Sequence, residues 1–151
     1  MFDIGEEMTD TPDIKQLSVF LPNRVGALLG VNRALETLGL TIRAISILEA
    51  ADHSVVRLIV DRPSLATELL KDQGYSVLET DLLGVALPDR DGVRRVLSAL
   101  LMAELNVHYV YSLLARGTEE PILALHVEDP VAATKVLREH NMVLIGQDHL
   151  E

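Results

Sequence analysis

Cysteine and tryptophan are absent from the 151 residues of the chain, which contains only two phenylalanines and three tyrosines. The lack of cysteine excludes disulfides, zinc–thiolate centres, iron–sulfur clusters and cysteine nucleophiles. Hydrophobic residues make up 48% of the chain and aromatic residues 3%, so the core must consist mainly of aliphatic side chains. No apolar run is long enough to span a bilayer, and the acidic start does not resemble a signal peptide. We therefore expect a cytoplasmic protein that does not contact the membrane.

Basic residues are scarce as well. The 13 Lys and Arg residues stand against 23 Asp and Glu residues, which gives a formal net charge of −10. Five of the acidic residues lie within residues 1–13, where no Lys or Arg occurs, and we expect this segment to be a disordered acidic leader. Because affinity for phosphate backbones and anionic membranes comes from Lys and Arg, neither nucleic acid nor membrane is an expected partner.

Two stretches of the chain share one pattern, LPNRVG at 21–26 and LPDRDG at 87–92. Further matches follow at offsets of 65 to 67 residues, where Gly39 aligns with Glu104 and Gly74 with Asn141. Two copies are too few for a solenoid, so the chain is a tandem duplication. We place the first unit at 14–81 and the second at 82–151.

Hydrophobic periodicity gives both copies the same order of elements. The first copy has predicted strands at 16–21, 40–48, 54–60 and 75–78, and predicted helices at 26–38 and from 61–64 onward. The second copy has predicted strands at 82–87, 106–114, 122–127 and 142–145, with a helical stripe at 93–101 and a helix at 130–140. This order predicts an α+β fold of two ferredoxin-like βαββαβ units, each an antiparallel sheet with helices on one face.

Three finer expectations concern packing within these elements. In the strand at 40–48, Ile42, Ala44 or Ile45, and Ile47 form the predicted buried set. Ser64 is a candidate cap for the second helix. Apolar residues occupy both faces of several strands, so the sheet face without helices, or the edges of the sheet, should be buried, either between the two copies or against a partner subunit.

Few catalytic patterns are compatible with the sequence. An RNA-recognition module needs aromatic side chains and a basic face, which this chain lacks. Its five histidines, at 53, 108, 126, 140 and 149, show no metal-ligand spacing, and neither a nucleophile elbow nor a phosphate-binding loop occurs. We expect no catalytic residue, no metal site and no cofactor.

The repeated P-[N/D]-R-x-G stretch remains the best candidate site. Its glycine permits close backbone approach at the start of a helix, where free N–H groups favour an anion such as a carboxylate. The alternative is a plain turn in which Asn23 or Asp89 caps the helix. From the residues alone, the stretch is either a loop for a small anion or amino acid, or a structural turn.

A family resemblance extends this interpretation. The stretches QLSVFLPNRVGALLGVNRALETLGLTIRAISI and LLGVALPDRDGVRRVLSALLMAELNVHYVYSLL resemble tandem ACT domains, in which a loop similar to N-x-x-G-x-L follows the first strand. The resemblance covers about residues 15–148 and is greatest to stand-alone proteins of two ACT units. It implies a regulatory protein that binds an amino acid, or a similar small zwitterion, where the loop of one unit meets a strand of its neighbour. It also implies a homodimer and a regulated enzyme in trans.

The resemblance implies the following ligand-binding residues. In the first loop the matching positions are Asn23, Arg24, Val25, Gly26, Ala27 and Leu28. In the second loop they are Asp89, Arg90, Asp91, Gly92 and Val93. At the beginning of the second strand of each unit they are Thr41, Ile42 and Asn106.

The two loops depart from the family pattern in different ways. The first keeps Asn23 but is combined with Thr41, whereas the second keeps Asn106 but carries Asp89 and Asp91. Two carboxylates would repel a ligand carboxylate, so we expect the first loop to be the better cradle, with Asn106 completing the site from the other copy or another subunit. Two functions stay open: an amino-acid-binding regulator, and an oligomerising interaction module without a ligand.

Overall fold

The structure, a computed structural model, describes residues 11–23, 25–113 and 120–150. Its strands are β1 (Ile14–Pro22), β2 (Ile42–Glu49), β3 (His53–Val60), β4 (Ser76–Ala86), β5 (Val107–Leu113), β6 (Ile122–Val127) and β7 (Leu144–Ile145). Its helices are α1 (Ala27–Glu36), α2 (Pro63–Asp72), α3 (Gly92–Met102) and α4 (Pro130–Glu139), followed by a 3₁₀ turn at Gln147–Leu150. The predicted α+β class with two ferredoxin-like units is confirmed.

All strand pairings are antiparallel, and the strands follow the order β2-β3-β1-β4-β6-β5, with β7 also paired to β4. The strand β4 belongs to both halves of this sheet. Its residues 76–82 pair with β1, and its residues 83–86 pair with β6. The prediction of two separate strands at 75–78 and 82–87 is wrong, because residues 76–86 form one strand of 11 residues. The predicted division between 81 and 82 falls inside β4 and stays a prediction.

Three apolar clusters hold the fold together. Two of them lie between each half-sheet and its own pair of helices. The third lies between the two half-sheets and contains fully buried Ile14, Ile59 and Leu150 together with Leu113 and Ile122. The strands β2 and β5, at the two ends of the strand order, also contact each other. The predicted burial of the second sheet face is thus confirmed over this region, between the two copies.

A polar group joins the two units within this third layer. The Gln16 side chain, 1% exposed, donates from Nε2 to the Tyr109 hydroxyl at 2.8 Å and accepts from the Tyr111 hydroxyl at 2.6 Å. The Arg57 guanidinium lies 3.8 Å from the centre of the Tyr109 ring. Because Gln16 has partners for both ends of its amide, its burial is compensated.

The buried set predicted for β2 needs correction. Ile42 is half-buried and Ala44, one of the two alternatives, is buried, whereas the other alternative, Ile45, and the predicted Ile47 are 46% and 53% exposed. The register of β2 against β3 shifts at Arg43, and β2 is an edge strand, so Ile45 and Ile47 lie at the open border of the sheet. The register of β5 against β6 shifts at the equivalent position, His108.

The helix ends show both the duplication and its divergence. Each of the four helices is followed, two or three positions after its last residue, by a residue at positive φ: Gly39 at 69° and Gly74 at 91° in the first unit, and Glu104 at 56° and Asn141 at 61° in the second. The sequence alignment paired these same positions. At the helix starts, the prediction that Ser64 caps α2 is wrong, because Arg62 occupies the N-cap position and makes no side-chain capping bond. In the second unit, Asp129 caps α4 by accepting from the Ala132 N–H at 3.1 Å.

The two ends of the described chain are held together. The Asp13 carbonyl, within the predicted leader, accepts from the Gln147 N–H at 2.8 Å. The Gln147 side chain accepts from the Lys15 N–H at 3.0 Å and donates to the Val60 carbonyl at 2.9 Å. Residues 1–10, the main part of that leader, lie outside the described residues. No helix in the described ranges is long and apolar enough to cross a bilayer.

Candidate functional site

A cavity of about 370 Å³ opens where the end of β1, the loop into α1 and the β2–β3 hairpin meet. Four residues of the predicted first loop line it: Asn23, Val25, Ala27 and Leu28. Gly26 lies between them, and Arg24 lies outside the described residues. The structure therefore brings together the described part of the first loop around one small cavity on the helix side of the sheet.

The rest of the lining consists of Pro22, at the end of β1, and five residues that were not predicted as binding residues. Leu21 and Val56 form a floor that belongs to the first core, with exposures of 3% and 1%. Ile47, Glu49 and Ser54 line the side toward the β2–β3 hairpin. The alternation of β2 could have placed Ile47 and Glu49 on one face, but nothing in the sequence indicated that this face opens beside the loop.

Asn23 ties the loop to the β2–β3 hairpin. Its Nδ2 donates to the Ala50 carbonyl at 3.1 Å, and its Oδ1 accepts from the Ser54 hydroxyl at 2.6 Å. Both ends of the amide are thus occupied by the protein itself. Asn23 consequently holds one wall of the cavity in position, a role that neither reading of the sequence anticipated.

The N-terminus of α1 borders the same cavity. Gly26 takes the cap position at φ 86° with no side-chain cap bond, and its carbonyl accepts from the Gly30 N–H at 2.9 Å. A Cβ on Gly26 would meet no atom within 4 Å, but the positive φ favours glycine. Uncapped N–H groups at a helix start carry partial positive charge, so this end of the cavity favours a negative group.

The second loop is built differently. Asp89 accepts from the Asp91 N–H at 3.0 Å and lies 3.7 Å from the Arg95 guanidinium, while Asp91 lies 3.5 Å from the Arg94 guanidinium. A Cβ on Gly92 would lie 3.0 Å from the Leu87 side chain, so this loop is folded closely against its strand.

The two remaining predicted residues of the second loop, Arg90 and Val93, are exposed. Asp89 and Asp91, by contrast, both interact with neighbouring groups of the loop and its helix.

The predicted polar positions at the strand beginnings, Thr41 and Asn106, do not line the cavity at the first loop. Thr41, just before Ile42, donates its N–H to the Asp61 carboxylate at 3.0 Å, and Asn106 accepts from the Glu128 N–H through its carbonyl at 3.1 Å. The strand β2 runs from Ile42 to Glu49, so its two ends are separated by roughly 23 Å. Among the described contacts, none joins Asn106 to the first loop.

A second polar cluster, between the units, contains two histidines. The His126 ring lies 4.9 Å from both the His108 and the Tyr109 rings, and its buried Nδ1 makes no hydrogen bond to any described residue. The pKa of His126 is lowered below its usual value, mainly by burial and to a smaller extent by the nearby His108 and Arg57. Within the described ranges, no three His, Asp or Glu side chains come together as a metal site.

Comparison with known proteins identifies the family. The model of the ACT domain pair matches residues 12–151, nearly the whole chain. The chain belongs to the ACT domain pair family. The resemblance inferred from the two repeated stretches is thereby confirmed. A comparison with curated protein sequences finds no significant match.

Solved structures agree with this assignment. The ACT domain pair is similar to a protein from Bacteroides thetaiotaomicron at 28% identity, covering 93% of this chain and 96% of the other with a TM-score of 0.84. The ligand-free regulatory subunit of aspartate kinase from Thermus thermophilus is similar at 16% identity, covering 87% and 94% with a TM-score of 0.59. The regulatory subunit from Thermus flavus is similar at 15% identity, covering 86% and 93% with a TM-score of 0.56. At these lower identities the likeness concerns the fold.

Proposed function

We propose that this ACT domain pair is a non-catalytic, cytoplasmic regulatory protein that binds a free amino acid, or a similar small zwitterion, at the first loop. The cavity of about 370 Å³ at that loop is the observation that carries the proposal. Its size lies near the lower end of the range for small-molecule sites, and it combines apolar walls with a few polar groups, as such sites do. Family membership supports the same function.

The two charged ends of a zwitterion have complementary positions around this cavity. The uncapped N-terminus of α1 favours the carboxylate of the ligand, since helix N–H groups and the helix dipole both attract an anion. Glu49, on the opposite wall, offers a carboxylate to the ammonium group. Asn23 acts by holding the hairpin that carries Glu49 against the loop.

We extend the proposal to the way a signal leaves the site. Ligand binding would favour one arrangement of the protein over another and so change its affinity for a partner, because a ligand shifts an equilibrium by its differential affinity for the two states. The similar regulatory subunits of aspartate kinase suggest an enzyme in trans as that partner.

A homodimer is part of the proposal, and the exposed border of β2 favours it. Ile45, Ile47 and Leu48 are 46%, 53% and 53% exposed on a strand whose outer edge ends the strand order. Thr41 and Ile42, at the far end of β2, would reach a first loop only from a second copy. The same border supports the second candidate function, an interaction module that oligomerises without a ligand.

Calorimetric titration with the twenty amino acids tests the main proposal. We expect at least one amino acid to bind, and Asn23→Ala to abolish that binding by releasing the hairpin wall. Asp89→Ala is the matched control, because it also removes a bonded side chain from the equivalent loop, and it should leave affinity within about twofold. Equal losses in the two variants would contradict the assignment to the first loop. A folded protein that binds none of the twenty would favour the interaction module, which sedimentation would then characterise.

A further inference from the structure

The walls of the cavity at the first loop carry information about the ligand's side chain. We propose that this site selects neutral amino acids with branched aliphatic side chains, the class of valine, leucine and isoleucine. The inference rests on the proposed function and adds the selectivity of the same site. It follows from three properties of the lining, namely its apolar surface, its charge and the state of its polar groups.

Apolar surface dominates the lining. Leu21 and Val56 form the buried floor, and half-buried Leu28 forms a wall on the α1 side. Opposite, Ile47 keeps 53% of its surface exposed although it lines a cavity. An aliphatic ligand side chain would remove apolar area of both Ile47 and the ligand from water, and this gain is proportional to the area covered.

The charge of the lining favours a ligand with one ammonium group and an uncharged side chain. Glu49 is the single charged residue in the described part of the lining. Its carboxylate can pair with one ammonium group. A lysine ligand would bring a second ammonium group, and an aspartate ligand a second carboxylate, and neither finds a further partner of opposite charge among the described lining residues, which makes its burial costly.

The polar groups of the lining are largely occupied. The Asn23 amide bonds the Ala50 carbonyl and the Ser54 hydroxyl, which uses the hydroxyl hydrogen of Ser54. A ligand hydroxyl or amide placed among these groups would find few free donors and would lose bonds to water. Threonine, serine and asparagine are therefore disfavoured relative to aliphatic amino acids of similar size.

Calorimetry with defined probes tests this selectivity. Leucine, isoleucine and valine should each bind at least about tenfold more tightly than lysine, threonine or aspartate. Ile47→Ala should weaken leucine binding by about tenfold, since it removes apolar contact area equivalent to roughly two buried methylene groups. Leu78→Ala is the control, because Leu78 is an aliphatic residue of β4 with 60% exposure that belongs neither to the cavity nor to the exposed border of β2, and it should change affinity less than about twofold.

A second pair of variants tests the charge assignment. Glu49→Gln should weaken leucine binding by about tenfold or more but should not weaken binding of 4-methylpentanoate, which lacks the ammonium group that Glu49 would pair with. Glu68→Gln, at an exposed carboxylate on α2, should affect neither ligand. Both Glu49 and Ile47 are exposed, so circular dichroism should show folded variants. If Glu49→Gln fails to fold, the comparison of Ile47→Ala with Leu78→Ala decides the matter.

The outcomes separate the two levels of the proposal. Tighter binding of lysine, threonine or aspartate would overturn the selectivity and leave the amino-acid-binding function intact. Binding of leucine that is indifferent to both Ile47→Ala and Glu49→Gln would overturn the assignment of these walls. Absence of binding for every amino acid would overturn the proposed function together with this inference.

Discussion

The hydrogen bonds of Gln16 to Tyr109 and Tyr111 allow the contact between the two ACT units to be tested quantitatively. Gln16→Met keeps nearly the same side-chain length and removes both bonds at once. A typical bond contributes about 1 kcal/mol net, so we expect a loss of about 2 kcal/mol in the free energy of unfolding. This is a large share of the ~5–15 kcal/mol that stabilises a typical protein.

Removing the partner of Gln16 in one of these hydrogen bonds gives the second single variant of a double-mutant cycle. Tyr111→Phe leaves Oε1 of Gln16 without its partner in a site where Gln16 is 1% exposed, which should cost about 1–3 kcal/mol. In the double variant Gln16→Met/Tyr111→Phe, the chain no longer contains the Gln16 oxygen that Tyr111→Phe alone leaves without a partner. The double variant should therefore lose about 1 kcal/mol less than the sum of the two single losses.

Urea unfolding followed by far-ultraviolet circular dichroism measures these differences without relying on tyrosine fluorescence. Gln73→Met, at an exposed glutamine after α2, and Tyr75→Phe, in the first core, are the controls, and each should cost less than its counterpart. If the two losses add within about 0.3 kcal/mol, or if Gln16→Met is as stable as the parent, the bonds do not hold the units together. A transition that splits into two steps only in Gln16→Met would support their role further.

Three further predictions concern other parts of the fold. Because the pKa of His126 is lowered in the folded protein, the unfolded chain binds the proton more strongly. The free energy of unfolding should therefore fall as the pH drops below about 6.5. The His126→Gln variant, unfolded in urea at several pH values, should show a weaker pH dependence of this free energy. Gly84→Ala should lose about 1–3 kcal/mol, since the new Cβ would lie 2.8 Å from the Ile145 carbonyl oxygen and against Ile14. Glu104→Gly should gain about 0.5–1 kcal/mol in thermal unfolding, because Glu104 has φ 56°.

Each of these predictions has an internal control. Ser112→Ala, at an exposed β5 position that carries no titrating group, should keep the pH dependence of the parent protein. Gly30→Ala, whose Cβ would lie 3.6 Å from the Tyr75 hydroxyl, should be tolerated or stabilising. Gly39→Glu, the reverse exchange at the equivalent helix end, should destabilise by about 1–2 kcal/mol. A loss at Gly30 as large as at Gly84, or no gain at Glu104, would contradict the corresponding argument.

Much of the fold could be predicted because local patterns determine it. The two LP-[N/D]-R-x-G stretches fixed the duplication, and the alternation in each copy gave six of the strands close to their observed positions. Burial at the edge of the sheet could not be predicted, because the exposure of Ile47 depends on a register shift at Arg43 and on what lies beyond β2. The joining of two predicted strands into β4 likewise depends on the packing of the two units.

The candidate site was predictable only in part. The first loop was selected from its repetition and its glycine, and four of its residues line the cavity. Ile47, Glu49 and Ser54 were missed, because their position beside the loop follows from strand pairing between β1, β2 and β3. The role of Asn23 was missed for the same reason, since its bonding partners lie 27 and 31 residues away in the chain.

The continuous strand β4 has a consequence for how this duplicated protein can change over evolutionary time. Most tandem copies are separated by a linker that tolerates insertions, so each copy can be deleted, exchanged or shuffled independently. Here the eleven residues of β4 serve both halves, and an insertion near residue 82 would shift the strand register of one half relative to the other. Recombination at the boundary would leave either half with an unpaired edge. Separating the two ancestral copies would therefore require each half to cover a new sheet edge, whereas divergence of the copies in sequence meets no such requirement.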